Sequence, residues 1–344
     1  MENDRHQKPF DGSDVDRIMT ACDRQDSPGA SVIVIKNGET IFKRSYGLAE
    51  VESRRPATTD TNYRLASVTK QFTAMCVLML AERKKLSLHD PVARFFPKMP
   101  DYGGQILVRH LLNHTSGLIA YEDVMPAGTS VPLKDKDVLH LLEQQRRTYF
   151  APGSKFRYSN SGYALLALIV EAVGSISFAG FLKANIFDPL GMKATVAFEN
   201  GISTVQNRAY GYSPRENGFE RTDQSLTSSV LGDGGIYSSV EDLFRWDQAL
   251  YSDKLVSLDT LKRAFTSTID TGEKGQGYGY GWFVGSFNGA REISHSGETV
   301  GFRNFIGRYP DQRLSVIVLA NRSDARPADL THKIVNRPSL IATR

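Results

Sequence analysis

The sequence has few of the features that would place it outside the ordinary globular proteins. Its 344 residues include two cysteines, too few for a disulfide framework or a cysteine-based metal cluster. The longest apolar run, residues 74–81, is too short to cross a bilayer. Forty-two basic residues are scattered among 38 acidic ones, without the basic stripe that nucleic-acid binding needs. We therefore expect a globular protein with no metal, no cofactor, no nucleic-acid partner and no membrane span.

The amino-terminal residues give an expectation about location. Residues 1–14 are polar and charged and lack the apolar segment of a secretory leader. As written, the chain is expected in the cytoplasm, and it is expected in the periplasm or outside the cell if a leader has been removed. The length predicts one large domain or two lobes that share chain segments. The oligomeric state cannot be read from the sequence.

Strand patterns lie towards both ends of the chain, and helical patterns lie between them. Three hairpins are predicted around tight turns, at residues 31–49 (Asn37-Gly38), 280–294 (Asn288-Gly289) and 302–320 (Pro310-Asp311). Helices are predicted at residues 11–25, 68–85, 110–112, 136–146, 161–173, 178–186 and 239–250. The two groups of strands can share one sheet only if the chain ends come together. This predicts an α/β (α+β) fold, an antiparallel sheet flanked by helices with an inserted all-helical lobe.

The same pattern gives a prediction for the domains. Residues 1–75 and 205–344 are assigned to a sheet lobe, and residues 76–204 to a mainly helical lobe. Clefts between lobes are common ligand sites, so we expect the active site there.

Ser67 and Lys70 form an S-x-x-K pattern where a polar segment gives way to an apolar helix. Residues three apart share a helix face, so the lysine can reach the serine. Burial disfavours the charged form of lysine, which can then accept the hydroxyl proton. The pattern alone is expected roughly once by chance in a chain of this length, and a capping serine followed by a lysine that reaches solvent is the alternative.

Two further polar motifs come later in the chain. Residues 158–160 (Y-S-N) lie in a predicted loop before a helix, and residues 295–297 (H-S-G) follow a strand predicted to end at Ser294. With the first motif they supply a nucleophile and its base, a second proton-transfer group and a strand edge that aligns substrate. His110 and His114 have the spacing of metal ligands on a helix, but no H-E-x-x-H is present, and structural roles are predicted.

Together these motifs resemble the serine β-lactamase-like superfamily, within it class C β-lactamases, family VIII carboxylesterases and DD-peptidase or D-aminopeptidase relatives. The resemblance extends over nearly the whole chain. Further matching segments lie at residues 64–67, 71–74, 86–88, 90–92, 109–118, 152–153, 189–192, 234–238 and 301–303. The resemblance implies a β-lactamase/transpeptidase-like fold.

The resemblance also implies roles for individual residues. Ser67 would be the acylated nucleophile, Lys70 its base and Tyr158 the group that passes a proton to the leaving group. Asn160 would contact substrate and the lysine. The backbone N–H groups of Ser67 and Glu298 would form the oxyanion hole.

The strand motif departs from the β-lactamase pattern. His295 stands where β-lactamases carry the lysine of K-T-G, and it is followed by Gly297 and Glu298. We assign all three to substrate binding, with a histidine hydrogen-bonded inside the sheet as the alternative for His295. A histidine only partly charged near pH 7 and an adjacent carboxylate both weaken recognition of an acidic substrate.

The predicted function is therefore a serine hydrolase that forms an acyl-Ser67 intermediate with a small-molecule substrate, a carboxylic ester or small amide. One alternative is a D-amino-acid peptidase or DD-peptidase-type amide hydrolase that uses the same residues. Another, of a different class, is a non-catalytic assembly or binding protein on the same fold.

Overall fold

The computed structural model describes residues 10–341, and its strands and helices are numbered here in chain order. The strands are β1 (Ala30–Lys36), β2 (Glu39–Tyr46), β3 (Leu48–Glu50), β4 (Arg55–Pro56), β5 (Tyr63–Arg64), β6 (Val196–Ala197), β7 (Tyr212–Arg215), β8 (Gly218–Arg221), β9 (Ile236–Ser238), β10 (Ile269–Asp270), β11 (Gly277–Tyr278), β12 (Phe283–Phe287), β13 (Ala290–Thr299), β14 (Phe302–Tyr309) and β15 (Leu314–Ala320). The α-helices are α1 (Gly12–Met19), α2 (Lys70–Glu82), α3 (Val108–Leu112), α4 (Asp135–Glu143), α5 (Asn160–Gly174), α6 (Phe178–Leu182), α7 (Asp188–Leu190), α8 (Leu231–Gly234), α9 (Val240–Ala249), α10 (Leu258–Ala264) and α11 (Pro327–Val335).

An eight-stranded antiparallel sheet joins the two ends of the chain. Its order is β10-β11-β12-β13-β14-β15-β1-β2. The join is the β1–β15 pair, in register from Ala30 opposite Ala320 to Lys36 opposite Leu314. A smaller sheet, β5-β9-β6, lies at the entry to α2. The predicted fold class is confirmed, since strands from both ends of the sequence share one sheet that is flanked by helices.

The paired strands β1 and β15 are buried on both faces, and alternate side chains of β1 pack into different layers. Val32 and Val34 pack with side chains of α1 and α11. Ile33 and Ile35 belong to the other core, which contains α2, α5 and Trp246 of α9. Successive strand residues point to opposite faces, so a continuous run of β-branched residues can fill both layers.

The helices α2 and α5 are buried around most of their circumference, which agrees with their apolar sequences. In the described part of the chain, no single helix has the length and apolar character to cross a bilayer. One pair, Asn160–Gly174 with Phe178–Leu190, meets that criterion jointly but bends by 75° at the break.

The predicted elements can be compared with the observed ones. All three hairpins are present, and β14 and β15 have the predicted bounds. The strand predicted at residues 280–284 begins later, as β12 (Phe283–Phe287). It cannot include Gly281, because the φ of +81° at that residue is incompatible with extended backbone. The helix expected at 178–186 is α6 followed by a π-helical turn, Lys183–Phe187. The division into lobes at residues 75 and 204 stays a prediction.

Candidate active site

Ser67 lies in a short 3-10 turn, Ala66–Thr69, that leads directly into α2. The preceding residue, Ala66, has a φ of +50°, a conformation that costs a non-glycine residue on the order of 1–3 kcal/mol. Contacts just before the turn hold it in place. The Leu65 N–H donates to the Ile236 carbonyl of β9 (2.8 Å), and the Asn304 amide of β14 donates to the carbonyl of residue 64 (2.8 Å). The position of Ser67 is therefore fixed from two sheets.

The ammonium nitrogen of Lys70 is completely buried and faces three oxygen atoms. Nζ lies 3.0 Å from Ser67 Oγ, 2.8 Å from Asn160 Oδ1 and 2.8 Å from the Asp233 carbonyl oxygen. Burial lowers the pKa of Lys70 from 10.5 to about 8, while the charges of Asp233 and Glu122 raise it. A neutral lysine is therefore accessible in this position near neutral pH.

Tyr158 lies beside the serine and lysine. Its ring centroid is 4.9 Å from Lys70 Nζ. The hydroxyl is buried and makes no hydrogen bond of ordinary geometry within residues 10–341. Burial raises the pKa of Tyr158 well above 10, and the nearby Ser67 hydroxyl lowers it in part. The phenol is therefore protonated at neutral pH.

Asn160 is the first residue of α5 rather than part of a loop. Ser159 caps this helix by accepting a hydrogen bond from the Gly162 N–H (3.1 Å). The Asn160 Oδ1 atom accepts from Lys70, and Nδ2 donates to Glu122 Oε1 (2.7 Å). These two partners fix which way the amide faces.

The strand motif lies inside β13, which corrects the prediction that a strand ends at Ser294. Opposite Ser294, β12 begins at Phe283, so residues 295–299 pair with β14 on one side and with no strand of the described chain on the other. The unpaired edge packs against the turn that contains Ser67. Gly297 allows this approach, since a Cβ atom there would lie 2.0 Å from the Leu65 carbonyl oxygen.

His295 differs from the expectation of partial charge near pH 7. It is 1% exposed, and burial lowers its pKa to about 3. Nδ1 donates to the Ser296 carbonyl oxygen (2.6 Å), so Nε2 accepts from the Tyr278 hydroxyl (3.0 Å). The structure thus places a neutral histidine within the sheet. It does not line the pocket at Ser67, although its ring centroid lies 6.1 Å from that of Tyr158. Its assignment to substrate binding stays a prediction.

A pocket of about 70 Å³ opens at Ser67, and Glu298 and Asn160 also line it. The Glu298 side chain is 66% exposed, with its carboxylate 3.5 Å from Nε of Arg303. The structure therefore brings Ser67, Lys70, Tyr158 and Asn160 together, with Gly297 and Glu298 on the adjacent strand edge.

Comparison with known proteins identifies the family. The family model described as Beta-lactamase matches residues 15–337. The chain belongs to the β-lactamase family. Among curated relatives, it is 35% identical over 312 residues to penicillin-binding protein 4* of Bacillus subtilis, covering 86% of this chain and 68% of that protein. It is 30% identical over 303 residues to protein flp of Staphylococcus aureus, covering 86% of this chain and 59% of that protein.

Solved structures agree with this assignment to the β-lactamase family. The octameric penicillin-binding protein homologue from Pyrococcus abyssi superposes with a TM-score of 0.82 at 28% identity, covering 94% of this chain and 76% of that one. The D-amino acid amidase from Ochrobactrum anthropi (TM-score 0.82, 21% identity, 95% and 97% covered) shows the shared fold. The hydrolase EstCE1 also shows this fold, with a TM-score of 0.79 at 22% identity, covering 96% of this chain and 98% of that one. The predicted superfamily is confirmed, and the family supports a hydrolase in general terms.

Three residues of this β-lactamase-family site were missed by the sequence reasoning. Glu122 and Asp233 line the pocket, and Tyr121 donates to Asp233 Oδ2 (3.2 Å). Burial raises the pKa of Asp233 to about 6, and the Lys70 charge lowers it in part. No spacing rule indicates these residues, because they come from a short 3-10 turn, Tyr121–Val124, and from the four-residue helix α8. The glycine-rich segment L-G-D-G-G around Asp233 was the sequence feature that could have indicated a close approach of backbone to the site.

The two histidines weighed as metal ligands have hydrogen-bonding roles. His114 Nδ1 accepts from the Ser159 N–H (3.1 Å), and His110 Nδ1 accepts from the Leu107 N–H (3.2 Å). Burial lowers the pKa of both imidazoles. Within residues 10–341, no group of three or more His, Cys, Asp or Glu side chains is arranged to hold a metal ion.

Proposed function

We propose that this chain is a serine hydrolase that forms an acyl-Ser67 intermediate with carboxylic esters or small amides. The observation that carries the proposal is the buried Lys70, with Nζ 3.0 Å from Ser67 Oγ and a pKa lowered to about 8. About a tenth of such lysines are neutral at pH 7, enough to serve as a general base.

The reaction follows from these positions. As the hydroxyl proton passes to Lys70, Ser67 Oγ bonds to the substrate carbonyl carbon. Tyr158, kept protonated by its burial, supplies a proton to the leaving alcohol or amine as the bond between that group and the carbonyl carbon breaks. The proton held by Lys70 then passes to Tyr158 and restores its hydroxyl. The resulting acyl ester is hydrolysed by water, which releases the carboxylic acid and the free serine.

The oxyanion hole belongs to the proposal as well. The N–H groups of Ser67 and Glu298 are assigned to it, and loss of one such donor typically costs about 100- to 1000-fold in rate. Support comes from the close packing of the β13 edge on the Ser67 turn, which glycine at 297 permits.

Intact-protein mass spectrometry tests the proposal. After exposure to a fluorophosphonate or a p-nitrophenyl ester, the wild-type protein should carry one adduct, located on Ser67 by peptide mapping. Ser67→Ala should carry none, whereas Ser154→Ala, a change at an exposed serine, should react normally. An unmodified wild-type protein, or equal ester turnover by Ser67→Ala, would contradict the proposal.

The second candidate, a hydrolase of D-amino-acid amides or peptides, is favoured by Glu122. Its carboxylate lines the pocket beside Ser67 and is fixed by the Asn160 amide. An anion at this place suits a substrate with a free ammonium group. D-alanine p-nitroanilide turned over much faster than its N-acetyl derivative and than short esters, with the preference lost in Glu122→Gln, would favour this candidate.

Faster turnover of D-Ala-D-Ala peptides than of short esters would favour the DD-peptidase form of this second candidate. The non-catalytic alternative predicts self-association in sedimentation, with no turnover of any ester, amide or peptide.

A further inference from the structure

The helix α8, Leu231–Gly234, cannot be stable through its own hydrogen bonds. It has four residues, and Gly232, Gly234 and the following Gly235 lower its intrinsic stability further. The first N–H groups of any helix lack partners within it. Groups elsewhere in the chain must therefore hold α8 in position.

A carboxylate from another helix does so. Asp135, the first residue of α4, is 7% exposed. Its Oδ2 atom accepts from the Leu231 N–H (2.9 Å), and Oδ1 accepts from the Gly232 N–H (3.0 Å). One buried side chain thus satisfies two consecutive N–H groups at the start of α8. Burial raises the pKa of Asp135 to about 7, and these two hydrogen bonds lower it in part.

The next residue of α8 touches the proposed base. The Asp233 carbonyl oxygen lies 2.8 Å from Lys70 Nζ, and Asn160 Oδ1 lies at the same distance. A neutral lysine has two N–H bonds and one lone pair. When both N–H bonds go to these two oxygens, the lone pair is left facing Ser67 Oγ. The Asp233 carbonyl therefore orients the base as well as binding it.

We propose that Asp135 is a positioning residue for the hydrolase reaction: by holding α8 it keeps the Asp233 carbonyl where that oxygen aims the Lys70 lone pair at Ser67. This inference rests on the proposed function. Asp135 does not line the pocket at Ser67. It borders a separate surface cavity of about 260 Å³, next to Lys134 and Glu171. Its loss should therefore lower kcat and leave KM nearly unchanged.

Three variants test the proposal against a purely structural role. Asp135→Ala removes both acceptors, and Asp135→Asn keeps the shape but offers one acceptor in place of two. Asp137→Ala is the matched control, because Asp137 lies in the same helical turn and its carboxylate accepts from the Lys134 N–H (2.8 Å) rather than from α8.

Asp135→Ala is expected to lose about tenfold to 100-fold in kcat for a p-nitrophenyl ester, the range expected when buried N–H donors are left without an acceptor. The rate of fluorophosphonate labelling should fall equally, and KM should stay within twofold. Asp135→Asn should lose less, and Asp137→Ala should stay within twofold of wild type.

Chemical rescue adds a measurement that a general loss of stability would not produce. The Asp135→Ala change opens space for a small carboxylate beside the exposed cavity, so sodium formate should restore part of kcat. Sodium chloride at equal ionic strength should not, and formate should leave Asp137→Ala unchanged.

The inference is overturned if folded Asp135→Ala keeps kcat within twofold, or if its loss appears in KM alone. Should Asp135→Ala fail to fold, Asp135→Asn decides, and full activity in that variant overturns the inference. A wild-type protein that fluorophosphonate does not label refutes the proposed function instead, which distinguishes the two failures.

Discussion

Replacing Lys70 by methionine should abolish acylation and, at neutral pH, stabilise the fold. Burial lowers the lysine pKa from 10.5 to about 8. Each unit is 1.36 kcal/mol, so charging this group in the folded state costs about 3 kcal/mol at pH 7, below both pKa values. Methionine removes that cost but leaves Asn160 Oδ1 and the Asp233 carbonyl without a donor, which costs about 1–3 kcal/mol. The net expectation is a gain of about 1 kcal/mol.

The dependence on pH gives the sharper test. The cost is fully present below pH 8, where both states hold the proton. Between pH 8 and 10.5 the folded protein releases it first, so the unfolded state binds more protons and the wild-type stability rises by about 3 kcal/mol relative to Lys70→Met. The variant should therefore be the more stable protein at pH 7 and the less stable one near pH 10.5.

Urea denaturation at several pH values measures this difference, with fluorescence of the buried Trp246 and Trp282 as the probe. Labelling by a fluorophosphonate reports the loss of acylation in the same preparations. Lys85→Met, at an exposed position, is the control and should show no such crossover. The assignment of a strongly lowered lysine pKa would be refuted by two results together. Lys70→Met would be less stable than wild type at pH 7, and the difference in free energy of unfolding between the two proteins would not change with pH.

Three further predictions concern the same structure. Because the same lysine must be neutral to act, kcat/KM for a p-nitrophenyl ester should rise about tenfold from pH 7 to a plateau above pH 9, and a fall over this range would contradict it. Gly297→Ala puts a Cβ atom 2.0 Å from the Leu65 carbonyl and should cut acylation at least about tenfold, while Gly104→Ala, with open space around it, should not. Asp247 Oδ1 lies 2.7 Å from Arg308 Nε, and both side chains are 1% exposed. Asp247→Asn leaves the buried guanidinium without its counter-ion and should lower the free energy of unfolding, measured by urea denaturation, by about 3–5 kcal/mol. A loss below about 1 kcal/mol would show that the pair is dispensable.

Local signals predicted the large sheet well. The turn at Asn37-Gly38 has positive φ at both residues (54° and 85°), as a two-residue hairpin requires. This local geometry does not depend on the rest of the fold. The strands at 302–309 and 314–320 are likewise bounded by turn residues, so their limits could be read directly. Short strands such as β5 and β9 were missed, because two or three residues carry no periodicity.

The predictions failed mostly close to Ser67, where tertiary contacts override local preference. Ala66 adopts a left-handed conformation that its sequence does not favour, and α8 is helical despite its glycines. The burial that makes His295 neutral depends on Tyr278 and the surrounding sheet, which no local pattern reveals. Natural sequences depart from local rules mainly at functional or strained sites, so this clustering itself supports the location of the proposed active site.

The charges at the pocket bear on the substrate as well. Glu122, Asp233 and Glu298 all line it, and His295 supplies no positive charge. Arg64, which also lines it, is 3% exposed and already donates to the side chain of Gln224 and the carbonyl of Ser228. Lys70, next to Ser67, is likewise held by Asn160 and the Asp233 carbonyl. A substrate carboxylate would therefore meet three acidic side chains and, in the described chain, no lining cation free of protein partners. A neutral ester or an ammonium-bearing amide avoids that repulsion, which is why we place both ahead of acidic β-lactams as substrates.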